Sequence, residues 1–213
     1  MADARNARRI AVTALLLCQC AAAARAQIPS MPVFDDGMRM IGLQLGAAQP
    51  TNTHGFREVA ASGIGVNLLG LRYLNDWIAA GAEVGMSQFG KNERGKADAM
   101  NLGILARVNL CRRRSWTPYI LGGIGYHTTN VAINADAPGF ETACSPINGA
   151  CGDEMSIKAK GTSITAGLGI EKFLFQGLSL SFESRLRQNR FSGTSVESLN
   201  LMLGVHVWLS PKG

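Results

Sequence analysis

The chain has 213 residues, 46% of them hydrophobic, and a formal net charge of +6. That length suits one domain with a real core. Much of the charge lies at the front: without residues 1–26 the balance is 17 basic against 14 acidic residues, or +3, which is not the balance of a nucleic-acid-binding domain. After residue 26 no stretch approaches 18 consecutive apolar residues, so no transmembrane helix is expected.

The first element is a processing signal. Arg5, Arg8 and Arg9 form a positive region, residues 10–18 (IAVTALLLC) an apolar run, and Ala24-Arg25-Ala26 an A-x-A site. Together they predict a secretory signal peptide over residues 1–26, cleaved before Gln27. Cys18 and Cys20 would leave with it, and neither follows the small residue that lipidation needs. Residues 27–37 read as a polar, Pro-containing lead. All 25 glycines fall after residue 26, an enrichment tolerated where small residues make room for large neighbours in a crowded lumen.

Eight alternating segments follow. The period of two predicts strands over about 38–48, 63–73, 77–87, 99–110, 116–128, 162–172, 178–188 and 198–209. On the first, Ile41, Leu43 and Leu45 oppose Met40, Gly42, Gln44 and Gly46. The second opposes Ile64, Val66 and Leu68 to Gly65 and Asn67, then becomes apolar on both faces at Leu69 and Leu71. The seventh opposes Leu178, Leu180, Phe182 and Leu186 to Ser179, Ser181, Glu183, Arg185 and Arg187, and the eighth opposes Leu199, Leu201, Leu203, Val205 and Val207 to Asn200, Met202, Gly204 and His206. A soluble sandwich also alternates, but its exposed face is richly charged. Here the polar face is mostly Gly, Ser and Asn, which fits a narrow interior. The connections alternate short (75–76, 111–115, 173–177) and long (49–62, 88–98, 129–161, 189–197). With the secretory signal, this predicts an all-β, eight-stranded antiparallel up-and-down transmembrane β-barrel over 38–210, followed by a tail at 211–213. The expected location is the bacterial outer membrane, reached through the periplasm, with both termini and the short turns on the periplasmic side.

In strand number, loop alternation and signal, residues 38–210 resemble the small eight-stranded outer-membrane proteins, the OmpA membrane domain and the OmpX/Ail-type proteins. The resemblance implies recognition by the barrel-assembly machinery, although the chain departs from the usual aromatic last residue: Trp208 is followed by Leu209, Ser210, Pro211, Lys212 and Gly213. The peptidoglycan-binding domain that follows the barrel in OmpA relatives is not expected here.

Alternation collects Glu83, Arg107, Glu171, Glu183, Arg185 and Arg187 on the lumen face, with His206 nearby. Charges in so narrow a space must be paired, so a plug of salt bridges is expected, with a gated ion path as the alternative. By depth, Tyr73, Trp77, Trp116, Tyr119, Phe173, Phe175 and Trp208 read as aromatics at the periplasmic interface, although alternation turns Trp77 and Trp208 inward. Cys144 and Cys151, in CSPINGAC, are expected to form a disulfide in an oxidising compartment, which leaves Cys111 over. Arg112-Arg113-Arg114 reads as a solvated periplasmic turn; contact with anionic headgroups or peptidoglycan is the other reading. Lys91, Arg94, Lys96, Lys158 and Lys160 could meet lipopolysaccharide phosphates.

His127-Thr128-Thr129-Asn130 is similar to the His-x-Ser-Asn of lipid A deacylases. It departs from that motif in Thr129 for serine, in lying on the fifth strand instead of near the C-terminus, and in pointing His127 to the lumen. The sequence therefore leads to a non-enzymatic monomer with no cofactor or metal and no nucleic-acid partner. Its expected work is structural or adhesive, through outward loops and an unspecified extracellular partner. A small porin or gated channel comes second, a lipid A-modifying enzyme third.

Overall fold

The computed structural model describes residues 34, 36–51, 60–91, 95–111, 115–134, 154–175, 177–191 and 194–209. Its elements are eight strands: β1 (Arg39–Pro50), β2 (Ala60–Tyr73), β3 (Ile78–Lys91), β4 (Gly95–Asn109), β5 (Trp116–Asn134), β6 (Glu154–Phe175), β7 (Leu178–Phe191) and β8 (Thr194–Leu209). Each pairs antiparallel with the next, and β1 pairs with β8, so the sheet closes into a barrel. Closure leaves no edge along the wall, the condition for a sheet whose outer surface cannot hydrogen-bond to its solvent.

The outer surface has that character. Ile41, Leu43 and Leu45 of β1, Ile104 of β4, Ile124 of β5, Leu168 of β6 and Leu203 of β8 are all more than half exposed. An apolar band on every side is far larger than a water-soluble surface carries. Strict alternation turns the intervening residues inward, where polar side chains are buried: Gln44, Asn67, Asn101, Thr165, Ser181 and Asn200 among them.

Turn chemistry fixes the short connections. Asn75 Oδ1 accepts from the backbone N–H groups of Trp77 and Ile78, at 2.8 and 2.9 Å, closing the β2–β3 turn. Gly177 takes φ +90° between β6 and β7, a conformation that costs residues with a Cβ. The long-loop ends differ from the sequence expectation. The strands extend further there than the apolar pattern does, most of all in β5 and β6, whose ladder runs on to Asn134↔Glu154. The apolar pattern reports lipid contact, whereas backbone pairing continues past it through polar residues such as Thr128, Asn130, Lys158 and Lys160. The segment between β5 and β6 is thus 135–153 instead of 129–161.

Candidate functional site: the barrel lumen

Two groups of buried charges occupy the interior. In the first, Arg107 of β4 bonds through Nη2 to Glu171 of β6, and its Nε donates to Asn109 Oδ1 at 2.9 Å. The other Glu171 oxygen meets His206 Nδ1 at 2.8 Å and accepts from Ser179 Oγ. Aromatics close around this group: the Arg107 guanidinium lies 3.8 Å from the Tyr119 ring centroid, and Trp208 Nε1 donates to Ser179 Oγ at 2.7 Å. The second group centres on Arg185 of β7, which bonds to Glu183 and Glu83 and donates to Gln44 Oε1 at 2.9 Å. Glu183 Oε2 also accepts from Tyr119 OH at 2.8 Å. Glu83 Oε1 accepts from Arg187 Nη2 at 2.7 Å and from Asn101 Nδ2 at 3.0 Å.

The structure thus brings the seven lumen residues named from the sequence into two ion-paired groups. Each of the three arginines meets at least one carboxylate, and Glu83 is shared by Arg185 and Arg187. All seven are at most 5% exposed, so each charge is stabilised by its partners instead of by water, the only affordable arrangement at that depth. Sequence reasoning put no weight on Gln44, Asn101 and Ser179, which complete these bonds. Their inward parity was the available signal.

At the short-turn end an apolar plug fills the lumen. Phe34 stacks on Tyr73 with ring centroids 4.9 Å apart and meets Phe173 and Trp208 edge-on at 5.6 and 5.5 Å. Met38, Met40, Leu69, Leu71, Leu105 and Leu121 complete the cluster. Leu69 and Leu71, which blur the alternation of β2, are therefore lumen residues. Phe34 comes from the lead segment, where period and charge carry no sign of a core position.

This plug corrects the assignment of the aromatics. Tyr73, Tyr119, Phe173 and Trp208 lie at interface depth but point inward and are buried, because alternation along a strand overrides depth. Trp77 and Trp116 do face outward, at 39% and 37% exposure. Trp77 precedes β3, so the strand's parity does not bind it, and the inward orientation expected from alternation is overturned. Lys172 Nζ lies 4.8 Å from the Trp116 ring, an amphipathic pairing suited to a membrane boundary. The Phe175 side chain lies outside the described residues, as do residues 1–33, Arg112–Arg114 and the Cys144–Cys151 pair. Cys111 is half-buried after β4. His127 and Thr129 face the lumen, with His127 Nε2 and Thr129 Oγ1 2.5 Å apart, so this pair is on the wrong side of the wall for work on a lipid. Among the described residues no group of acids, histidines and cysteines is placed to hold a metal.

The family model described as "Outer membrane protein beta-barrel domain" matches residues 10–206. Among solved structures, the chain is similar to Neisserial surface protein A (14% identity, TM-score 0.61, covering 81% of this chain and 99% of that one). It is also similar to OprG from Pseudomonas aeruginosa (11% identity, TM-score 0.52, 83% and 97%). A third similarity is to Ail, the attachment invasion locus protein of Yersinia pestis, in a complex with the heparin analogue sucrose octasulfate (13% identity, TM-score 0.51, 82% and 99%). At these identities the likeness is one of fold. No curated protein matches the chain.

Proposed function

The chain belongs to the outer membrane protein β-barrel domain family, and from that premise we propose that it is a sealed, non-enzymatic scaffold whose outward loops carry a structural or adhesive role at the cell surface. The observation that carries this reading is the filling of the lumen. A conducting path would have to pass the Phe34–Tyr73–Phe173–Trp208 plug and then two ion-paired groups whose side chains are buried and mutually bonded. Eight strands leave an interior that side chains can fill, and here they do. Loops on a rigid barrel are where interaction surfaces commonly sit, and segment 135–153 is the longest of them. The similar Ail, an attachment protein by name, supports a surface role. Secretion with a cleaved signal over residues 1–26, a Cys144–Cys151 disulfide and contact with lipopolysaccharide belong to the same reading.

The test is single-channel conductance of the refolded protein in a planar bilayer, beside a variant carrying Glu183→Gln and Arg107→Gln. A silent wild-type barrel is expected. Steady conductance that changes in the variant would show that the lumen charges line a path, and the small-channel reading would replace this one.

A further inference from the structure

Two arginines meet on the outer wall at the short-turn rim. Arg39 of β1 and Arg72 of β2 are register partners, and both are exposed. They share the outward parity of Ile41 and Leu68, so they face away from the lumen. The Tyr73 N–H donates to the Met38 carbonyl at 2.8 Å, which makes Met38 and Tyr73 a hydrogen-bonded pair and Arg39 and Arg72 the non-hydrogen-bonded pair beside it. Side chains approach most closely in such pairs, with Cβ atoms about 4.5–5.5 Å apart, and like charges placed there repel. No carboxylate relieves them: among the described residues neither arginine enters an ion pair, although each lumen arginine does.

The pair stands at the edge of the apolar band. The next outward row toward the middle of the wall is Ile41, Gly70, Ala82 and Ile104 on β1 to β4. A Cβ on Gly70 would meet nothing within 4 Å, so Gly70 and Ala82 leave a shallow trough between Ile41 and Ile104, which are 53% and 62% exposed. Two unpaired guanidiniums at the head of an apolar trough fit an amphiphile with an anionic head. A guanidinium suits phosphate because its planar fork donates two parallel hydrogen bonds to it. We propose that Arg39 and Arg72 hold the phosphate of an anionic diacyl phospholipid, of the phosphatidylglycerol type, in the leaflet at the short-turn rim. Its glycerol ester and first acyl carbons lie over Gly70 and Ala82. One phosphate between the two guanidiniums relieves their repulsion. A zwitterionic lipid returns an ammonium charge to the pair, so headgroup charge decides the preference. A free phosphate ion shares the head chemistry but leaves the trough unused, which favours the lipid. The site lies on the barrel wall and does not depend on the loops' having a surface role.

In the test, the protein is refolded into vesicles of equal phosphatidylglycerol and phosphatidylethanolamine, and native mass spectrometry identifies the lipids it retains on release. Phosphatidylglycerol is expected to be retained over phosphatidylethanolamine by at least about fivefold, the scale of an interfacial cation's attraction for an anionic lipid. Arg39→Gln combined with Arg72→Gln should bring the ratio to within about twofold, while circular dichroism shows an intact barrel. If that variant does not fold, Arg72→Gln alone takes its place and should at least about halve the ratio. Lys158→Gln combined with Lys160→Gln, exposed on β6 toward the long-loop rim, should leave the ratio unchanged. Excess glycerol 3-phosphate, which has the head but no acyl chain, should not displace the lipid. Equal retention of the two lipids would overturn the proposal, as would a preference that survives loss of the arginines or disappears with the lysines. Displacement by glycerol 3-phosphate would replace the lipid with a free phosphate ester as the ligand.

Discussion

Arg185 bridges both acids of its group, so its removal leaves Glu183 without its arginine and Glu83 with Arg187 alone. Breaking one side of a buried pair costs more than replacing the whole pair with apolar groups, because the orphaned charge keeps its desolvation penalty. Arg185→Leu should therefore destabilise the barrel by about 3–5 kcal/mol, read from urea-dependent unfolding in lipid vesicles. Adding Glu183→Leu should recover part of that loss. A single variant costing under about 1 kcal/mol would mean that water enters the lumen and screens the charges. The participants were legible in the sequence because parity placed Glu83, Glu183, Arg185 and Arg187 on one face. Their partners were not, because which acid meets which arginine depends on register around a closed sheet. Glu83 and Arg185, for example, lie 102 residues apart in the chain.

At the scale of a strand, depth and direction are separate coordinates, and the aromatics show it. Trp116 and Trp208 both end near the short-turn rim, yet one faces outward and the other joins Phe34 in the plug. Residue type gives depth, and parity gives direction only where the strand's end is known. Trp77, one residue outside β3, escapes the rule. The same two coordinates give a stability prediction for β8. Leu203 faces outward near mid-strand at 66% exposure, and Leu209 faces outward at the rim, opposite Arg39. Leu203→Arg should cost about 2–4 kcal/mol and Leu209→Arg about 0–1 kcal/mol in vesicle unfolding, because a cation is expensive at the bilayer centre and cheap at the interface. Equal costs would mean that the apolar face is not buried in lipid.

For the molecule as a whole, the hydrophobic pattern marks how much of the barrel meets lipid, whereas hydrogen bonding marks how much of it is sheet. The two lengths diverge most in β5 and β6. Pairs such as Leu121↔Gly167 lie within the closed wall, each strand flanked on both sides. Pairs such as Val131↔Ile157 lie beyond Thr162↔Arg190, where the β6–β7 register begins. That outer ladder has one fewer neighbouring strand among the described residues and no lipid band to exclude water. Its hydrogen bonds should open by local fluctuation, whereas those of the wall need the barrel itself to open. Hydrogen exchange at the Ile157 amide, on the strand without its second neighbour, should therefore run at least ~100-fold faster than at Leu121 and Gly167. Comparable protection at both levels would instead mean that β5 and β6 are held above the membrane by a further packed partner, and the loop surface would have to be redrawn as a rigid extension of the barrel.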